Sequence, residues 1–250
     1  MLRFNRLLIL YIVLLTGTII LKMHFLVPVS ITFIFVSLLS YGVFTISSGM
    51  FIKAVCKTGT KGILLTFDDG PDPTVTPQIL EVLKKCKIKA VFFITGKKVA
   101  ANPELVTKIV QDGHVVGNHT FNHSNFFPIY PVKKMVEEIN RTSEIIEKTT
   151  GKKVDLFRPP VGITNPNVAT AVIKTGKKVI GWSLRSLDTV NTDEKTLKEK
   201  ILNDIREGDI VLFHDTQVQT AQILDNFIEV CIERGFEFVD ADHFCGVINA

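Results

Sequence analysis

The chain has no alanine before Ala54, no C-x-x-C pair among its four cysteines, no glycine-rich phosphate loop and no basic stripe. Each absence excludes something. A cleaved signal peptide ends in small residues of the A-x-A kind directly after its apolar run, and the first apolar run here is over well before Ala54. Cys56, Cys86, Cys231 and Cys245 are too scattered for a zinc knuckle or a redox dithiol, so buried thiols are the default and disulfides are permitted but not implied. Without a glycine-rich turn after the first predicted strand, a nucleotide-binding fold loses its main support. The formal net charge of +4 is mild and the lysines are dispersed, so no nucleic acid is expected as a partner. Nothing in the pattern calls for a protein partner.

What is abundant lies at the N-terminus. Leu7 to Leu21 is uncharged between Arg6 and Lys22, and a second uncharged run goes from Phe25 to Ile52 ahead of Lys53. The second can span a bilayer with tilt; the first is slightly short of the ~20 residues needed, so Arg6 and Lys22 would snorkel. Neither run has the polar face of a soluble helical hairpin. The expectation is therefore a retained membrane anchor over residues 1–53, with transmembrane helices at about 7–21 and 25–47. A linker at 54–61 and one domain at 62–250 would follow. The membrane is then a partner, and the location is a cell membrane entered by two spans.

From Gly62 onward short apolar runs alternate with amphipathic segments, the mark of repeated βα units. Strands are expected near Ile63–Phe67, Ala90–Thr95, His114–Asn118, Asp155–Arg158, Val179–Trp182, Ile210–His214 and Phe236–Val239. Helices are clearest at Pro131–Thr149, with Gly151 just past the end, and at Thr192–Arg206 and Val218–Arg234. About seven strands in this order fit a parallel α/β barrel or an open doubly wound sheet, and periodicity does not choose between them.

Both architectures carry chemistry at the carboxyl ends of strands. The first strand ends "LLTFDDGPDP", placing Asp68 and Asp69 side by side before strong chain breakers. Adjacent carboxylates repel unless a cation, often a metal ion, sits against them; a polar turn capping the next helix is the plain alternative. The third strand leads into "NHTFNH", with His119 and His123 four apart. If that segment turns helically, both rings point one way, as metal-binding pairs do; otherwise they are ordinary surface histidines. "FRPPVG", "GWSLRSLD" and "LFHD" end the next strands. Two imidazoles and a carboxylate would form a catalytic metal set with a position left for water. Trp182 follows a buried strand and is expected in the core, His114 is expected to be structural, and Asp215 points away from His214 along an extended chain.

The order "TFDDG", "HTFNH", "RPPVG", "WSLRSLD" and "LFH" resembles the polysaccharide deacetylase family, the NodB-homology carbohydrate esterases, from about Ile63 to the C-terminus. The resemblance implies a distorted (β/α) barrel of about seven strands and a divalent metal ion, often zinc. It also implies a catalytic domain that hydrolyses acetyl groups from amino sugars. It makes Asp69, His119 and His123 the metal ligands and Asp68 the general base, held by Arg158. The Val161 backbone N–H becomes an oxyanion donor, and His214 the general acid, oriented by Asp188. The substrate would be an acetylated amino-sugar glycan or a lipid-linked saccharide. Related folds also hydrolyse small cyclic amides or O-acetyl esters, and a lapsed carbohydrate-binding or scaffold protein is a reading from another class. One motif departs from the pattern: Arg185 stands where many members have an acid, and Thr189 replaces a tryptophan. That reshapes the acetyl pocket and would favour an anionic substrate if Arg185 faces the cleft.

Sidedness is contested within the sequence. Family glycans are commonly met outside the cytoplasm. Yet Arg3 and Arg6 precede the first run, and Lys53, Lys57 and Lys61 follow the second. With two spans, positive flanks place both termini and the domain in the cytoplasm, where the cysteines would stay reduced. A single span would export the domain.

Overall fold

The computed structural model describes residues 2–249. Two long helices come first, α1 (Leu2–Ile20) and α2 (Leu26–Phe44), both close to the expected runs and about 28 Å long at 1.5 Å per residue. Pro28 sits in the first turn of α2, where its missing N–H is no loss. The helices pair through Tyr11, which stacks on Phe35 at 4.1 Å and shares a 3.3 Å hydrogen bond with Thr32. Their apolar windows are long enough to cross a membrane by length and composition, and only 6% of each is buried.

The rest is an eight-stranded, all-parallel sheet curled into a half-barrel. In chain order the strands are β1 (Ala54–Val55), β2 (Leu64–Asp68), β3 (Val91–Ile94), β4 (Val115–Asn118), β5 (Leu156–Phe157), β6 (Lys178–Ile180), β7 (Leu184–Arg185) and β8 (Ile210–His214). Their spatial order is β1-β6-β5-β4-β3-β2-β8-β7. Curvature and the helical outer layer answer the choice that periodicity left open. Two expectations change. Phe236–Val239 is not a strand; Phe238 makes a single bridge to Ile63. Residues 54–61, expected as a linker, supply the edge strand β1, paired with β6, and Lys57, which bridges Asp209. Short strands such as β1 and β7 carry too few residues for a period-2 pattern to show.

The pleat explains the division of the core. In β2, Leu65 and Phe67 face outward into a cluster with Ile79, Leu83, Phe213 and Phe227, while Leu64, Thr66 and Asp68 face inward. β8 alternates in step, since Leu64 pairs with Ile210, Thr66 with Leu212 and Asp68 with His214. The helices α3 (Val75–Cys86), α4 (Gly96–Ala101), α5 (Pro103–Gln111), α6 (Val132–Thr150), α7 (Pro166–Thr175), α8 (Glu194–Asp204) and α9 (Val218–Glu233) follow the strands. α6 stops at Gly151, which takes φ 68° as a left-handed cap. The last helix, α10 (Ala241–Asn249), sets Ala241 and Phe244 against Leu64, Val91, Phe93 and Ile210. It closes the amino-terminal mouth of the barrel, leaving the carboxyl-end rim open.

Candidate active site

Inward alternation delivers Asp68 and His214 to the rim on neighbouring strands, and the loops beyond β2, β4, β5 and β7 bring the remainder. The strand ends and loops enclose a cavity of about 170 Å³ lined by Asp68, Asp69, His119, His123, Val161 and His214, among others. All eight site residues expected from the sequence therefore meet in one place once the two that lie beneath it, Arg158 and Asp188, are included.

Asp68 is buried, and its Oδ1 accepts from the Arg158 guanidinium at 2.7 Å. Arg158 is fully buried. Its other N–H groups donate to Thr66 Oγ1 and to the carbonyls of Ile180 and Gly181, and its guanidinium lies 4.2 Å from the Phe93 ring centroid. This leaves Asp68 Oδ2 as the oxygen turned toward the histidines, 3.6 Å from His119 Nε2. On the opposite wall, His214 Nδ1 lies 2.6 Å from Asp188 Oδ1, and the His214 backbone N–H donates to Asp188 Oδ2 at 2.7 Å. The Thr220 hydroxyl donates to that same oxygen. Burial works against the charged imidazole of His214, but the Asp188 contact and charge outweigh it and raise the His214 pKa. Asp188, despite its burial, is held below the usual carboxylate range by the same pairing.

The second acid meets different partners. Asp69 Oδ1 lies 3.4 Å from His119 Nε2 and 3.2 Å from His123 Nε2, and it is a buried oxygen with no hydrogen-bond partner. Burial alone would raise this carboxyl; the neighbouring imidazoles, His119 foremost, hold it well below its ordinary value. His119 donates from Nδ1 to the Arg158 carbonyl at 2.7 Å, because a carbonyl only accepts, so Nε2 carries the lone pair when the ring is neutral. One ligand atom from each of the three residues falls within 4.8 Å of the others. Ligands about 2.0–2.1 Å from a tetrahedral ion lie ~3.3 Å apart, so the two Asp69–imidazole spacings fit a divalent cation. The orphaned oxygen is what such an ion would satisfy.

The two histidines do not converge through a helix. Residues 119–123 form an irregular loop in which Thr120 and His123 take φ 64° and 47°. His123 N–H donates to Thr120 Oγ1, and the ring centroids lie 4.7 Å apart. Asp69, Val161 and Leu187 are left-handed too, at φ 75°, 59° and 66°. For residues with a β-carbon such backbone is costly and persists only where the surroundings impose it. The Val161 N–H, turned by this geometry, donates to no acceptor among the described residues.

Several residues here were not singled out by sequence reasoning. Glu138 of α6 is buried, and its carboxylate accepts from the backbone N–H groups of Phe121 and Asn122 and from the Asn122 side chain. It fixes the loop between the histidines, but in the sequence it reads as one acid on a solvated helix face. Asp215 does point away from His214, yet it is not idle. Its Oδ2 accepts from Thr76 at 2.6 Å, and burial pushes its carboxyl up to about 7. A β-carbon on Gly70 would lie 2.0 Å from Asp215 Oδ2, so only glycine fits after the two acids. Trp182, expected in the core, does pack, partly buried, against the cluster that holds Phe127 and Phe157, but it also lines the cavity and lies over Gly162, where a β-carbon would come within 2.2 Å of the ring. Arg185 and Thr189 also line the cavity. Arg185 is exposed, and its side chain has no hydrogen bond or ion pair among the described residues, leaving a cation at the cavity wall. His114 is structural as expected: Ala90 N–H donates to its Nδ1, and burial lowers its pKa to about 4.

The profile of the family described as polysaccharide deacetylase matches residues 56–180. A peptidoglycan-N-acetylglucosamine deacetylase of Bacillus cereus is 35% identical over 184 residues, covering 72% of this chain and 85% of its own length. The chain belongs to the polysaccharide deacetylase family. A Listeria monocytogenes peptidoglycan-N-acetylglucosamine deacetylase is 35% identical over 74% of this chain, and there the chain spans only 39% of the relative. Among solved family structures, the peptidoglycan deacetylase PdaC of Bacillus subtilis superposes with a TM-score of 0.70 at 33% identity, covering 77% of this chain and 93% of that one. A family pseudoenzyme from Bacillus anthracis matches as well, with a TM-score of 0.71 at 27% identity, covering 77% of this chain and 68% of that one. Within this family the fold alone does not carry catalysis; the residues on the rim have to.

Proposed function

We propose that the chain is a membrane-anchored, metal-dependent hydrolase that removes N-acetyl or O-acetyl groups from amino sugars of a glycan or a lipid-linked saccharide. The observation that carries this reading is one oxygen: Asp69 Oδ1, buried and unpaired, faces two imidazole nitrogens at 3.2 and 3.4 Å. Beside it stand an acid held by arginine and a histidine held by aspartate. Asp69, His119 and His123 would hold a divalent cation, with zinc the ion best suited to two imidazoles and a carboxylate. Such an ion supplies Lewis acidity, lowering the pKa of water to about 7 and polarising the acyl carbonyl.

The chain's own groups do the rest. Asp68 Oδ2, free because Arg158 occupies Oδ1, takes a proton from water as its oxygen attacks the acetyl carbon. The Val161 N–H donates to the oxyanion that forms. His214, held at Nδ1 by Asp188, protonates the amine nitrogen as the carbon–nitrogen bond breaks, and acetate leaves. A positioned acid of this kind contributes roughly 10²–10⁴ in rate.

The test is acetate release by the full chain, loaded with divalent metal, from a panel pairing neutral chito-oligomers with acid-bearing amino sugars and small cyclic amides. The expected result is release from an amino sugar that is lost on chelation, together with stoichiometric metal and a melting temperature raised by it. Failure with every amino sugar by a fully metallated protein would sink the reading, and absence of bound metal would favour a lapsed binding protein.

A further inference from the structure

The apolar helix pair and the catalytic rim are physically joined. α1 and α2 run antiparallel, so the start of α1 and the end of α2 sit together at the domain, where Arg3 donates to the Ser48 carbonyl at 2.9 Å and Phe4 packs on Phe51. The last turn of α2 is then tied to the loop after the Val161 turn. Thr164 N–H donates to the Val43 carbonyl at 3.1 Å, and Thr164 Oγ1 donates to the Gly42 carbonyl. The next residue, Asn165, donates to the Pro128 carbonyl at 2.6 Å. Two residues thus connect the foot of the helix pair to Ser124–Tyr130, the segment that directly follows His123. Leu39 and Val43 pack in one cluster with Phe127, Tyr130 and Trp182, the last a cavity wall.

Beside this joint the domain exposes what a soluble surface seldom groups together. Phe126 is 67% exposed and Ile129 74%, on the segment whose Phe127 and Tyr130 share a cluster with Leu39 and Val43 of α2, and on the last turn of that helix Tyr41 is 59% and Phe44 71% exposed. Lys133 and Lys134 follow at once, both exposed, with the Lys134 ammonium 3.6 Å from the Tyr130 ring centroid. Aromatic side chains flanked by lysines, level with the end of an apolar helix, have the composition of a membrane–water interface.

We infer that the segment Ser124–Tyr130 rests in the interfacial layer of the bilayer that α1 and α2 enter, so that the active-site mouth opens at the membrane surface. The inference rests on reading the helix pair as a membrane anchor and adds to it a second contact, made by the catalytic domain itself. Phe126 and Ile129 enter the headgroup–acyl boundary, and Lys133 and Lys134 meet anionic headgroups. The loop that carries His123 is then steadied from its outer side by lipid, and saccharides presented at the membrane surface are the substrates within reach.

The test is photo-crosslinking of the full chain in vesicles of phosphatidylethanolamine and phosphatidylglycerol, with p-benzoylphenylalanine placed singly at positions 44, 126, 129 and 232. Every one of these positions is exposed, so the substitution does not disturb the core. Ile232, 54% exposed on α9, is the background. Lipid adducts at 44, 126 and 129 several-fold above those at 232 are the expected result. Adducts at 44 with only background at 126 and 129 would overturn the inference while leaving the anchor standing. Chain-to-chain adducts at 126 or 129 would overturn it in favour of a second copy covering the patch. Background at 44 as well would remove the anchor and the inference with it.

Discussion

Asp68 and Asp69 are neighbours in the chain, and the pleat sends them to different partners. Asp68, the last residue of β2, points inward to Arg158; Asp69, turned to φ 75°, faces the imidazoles. Their substitutions are expected to differ accordingly. Asp69→Ala loses metal affinity and activity together, whereas Asp68→Asn keeps the metal and loses turnover by orders of magnitude; equal metal loss in calorimetric titrations would show the roles are wrongly assigned. The His214–Asp188 pair makes a prediction about pH. Asp188 raises the His214 pKa against the effect of burial, so Asp188→Asn should move the alkaline limb of the rate profile to lower pH. The sign for stability follows from the same shifts. The raised histidine stabilises fully below its unfolded pKa of about 6.5, and that contribution is lost as pH rises through the folded value; the depressed aspartate stabilises above about 3.9 and is lost on acidification. Denaturant midpoints of Asp188→Asn should therefore fall furthest below wild type between those pH values, and a deficit independent of pH would contradict the pairing.

At the scale of elements, the loop between β4 and α6 depends on a residue borrowed from the helix behind it. Glu138 accepts from Phe121 and Asn122 backbone N–H groups at 3.0 and 2.9 Å, donors that the irregular path from 119 to 123 would otherwise leave unpaired. Asn118 adds a second tie, accepting from Thr120 N–H and donating to the Ile139 carbonyl and Ser143. Glu138→Ala is expected to cost about 1–3 kcal/mol of stability for each donor left buried without a partner, and to weaken metal binding by roughly 10–100-fold as supporting residues of metal sites do. Glu138→Gln, which keeps an acceptor, should recover part of both. Unchanged metal affinity in Glu138→Ala would mean that the histidines hold their own geometry. This dependence was not legible in the sequence: the 3.6-residue period gave α6 its extent, but a buried acid on a helix looks like a solvated one until its partners are in place.

For the whole molecule, the arrangement of α1 and α2 bears on topology. Both their domain-side ends lie together, with Arg3 bonded to Ser48, and the sequence flanking the two apolar runs on that side carries Arg3, Arg6, Lys53, Lys57 and Lys61. Positive flanks are retained on the cytoplasmic side, so two spans predict a cytoplasmic domain. Reporter fusions after Lys61 check this: a silent alkaline phosphatase with an active cytoplasmic reporter is expected. The reverse pattern would rule out the hairpin topology and move the substrate to the outer face.

Sequence by itself determined the alternation of strand and helix, the two apolar runs and the family motifs at the strand ends, because each is a local pattern of a few adjacent residues. β2 and β8 could be read almost to the residue, since each is a compact run of aliphatic, β-branched and aromatic residues, buried at every position, that ends at polar side chains. The short strands β1 and β7 could not, being set by the neighbours they pair with rather than by their own residues. Only the tertiary structure decided that Trp182 and Arg185 line the cavity, that Glu138 and Asp215 are buried beside the rim, and that the foot of α2 is bonded to the loop beyond Val161. Those facts depend on which distant segments a curled sheet brings within hydrogen-bond reach, and no spacing along the chain encodes that distance.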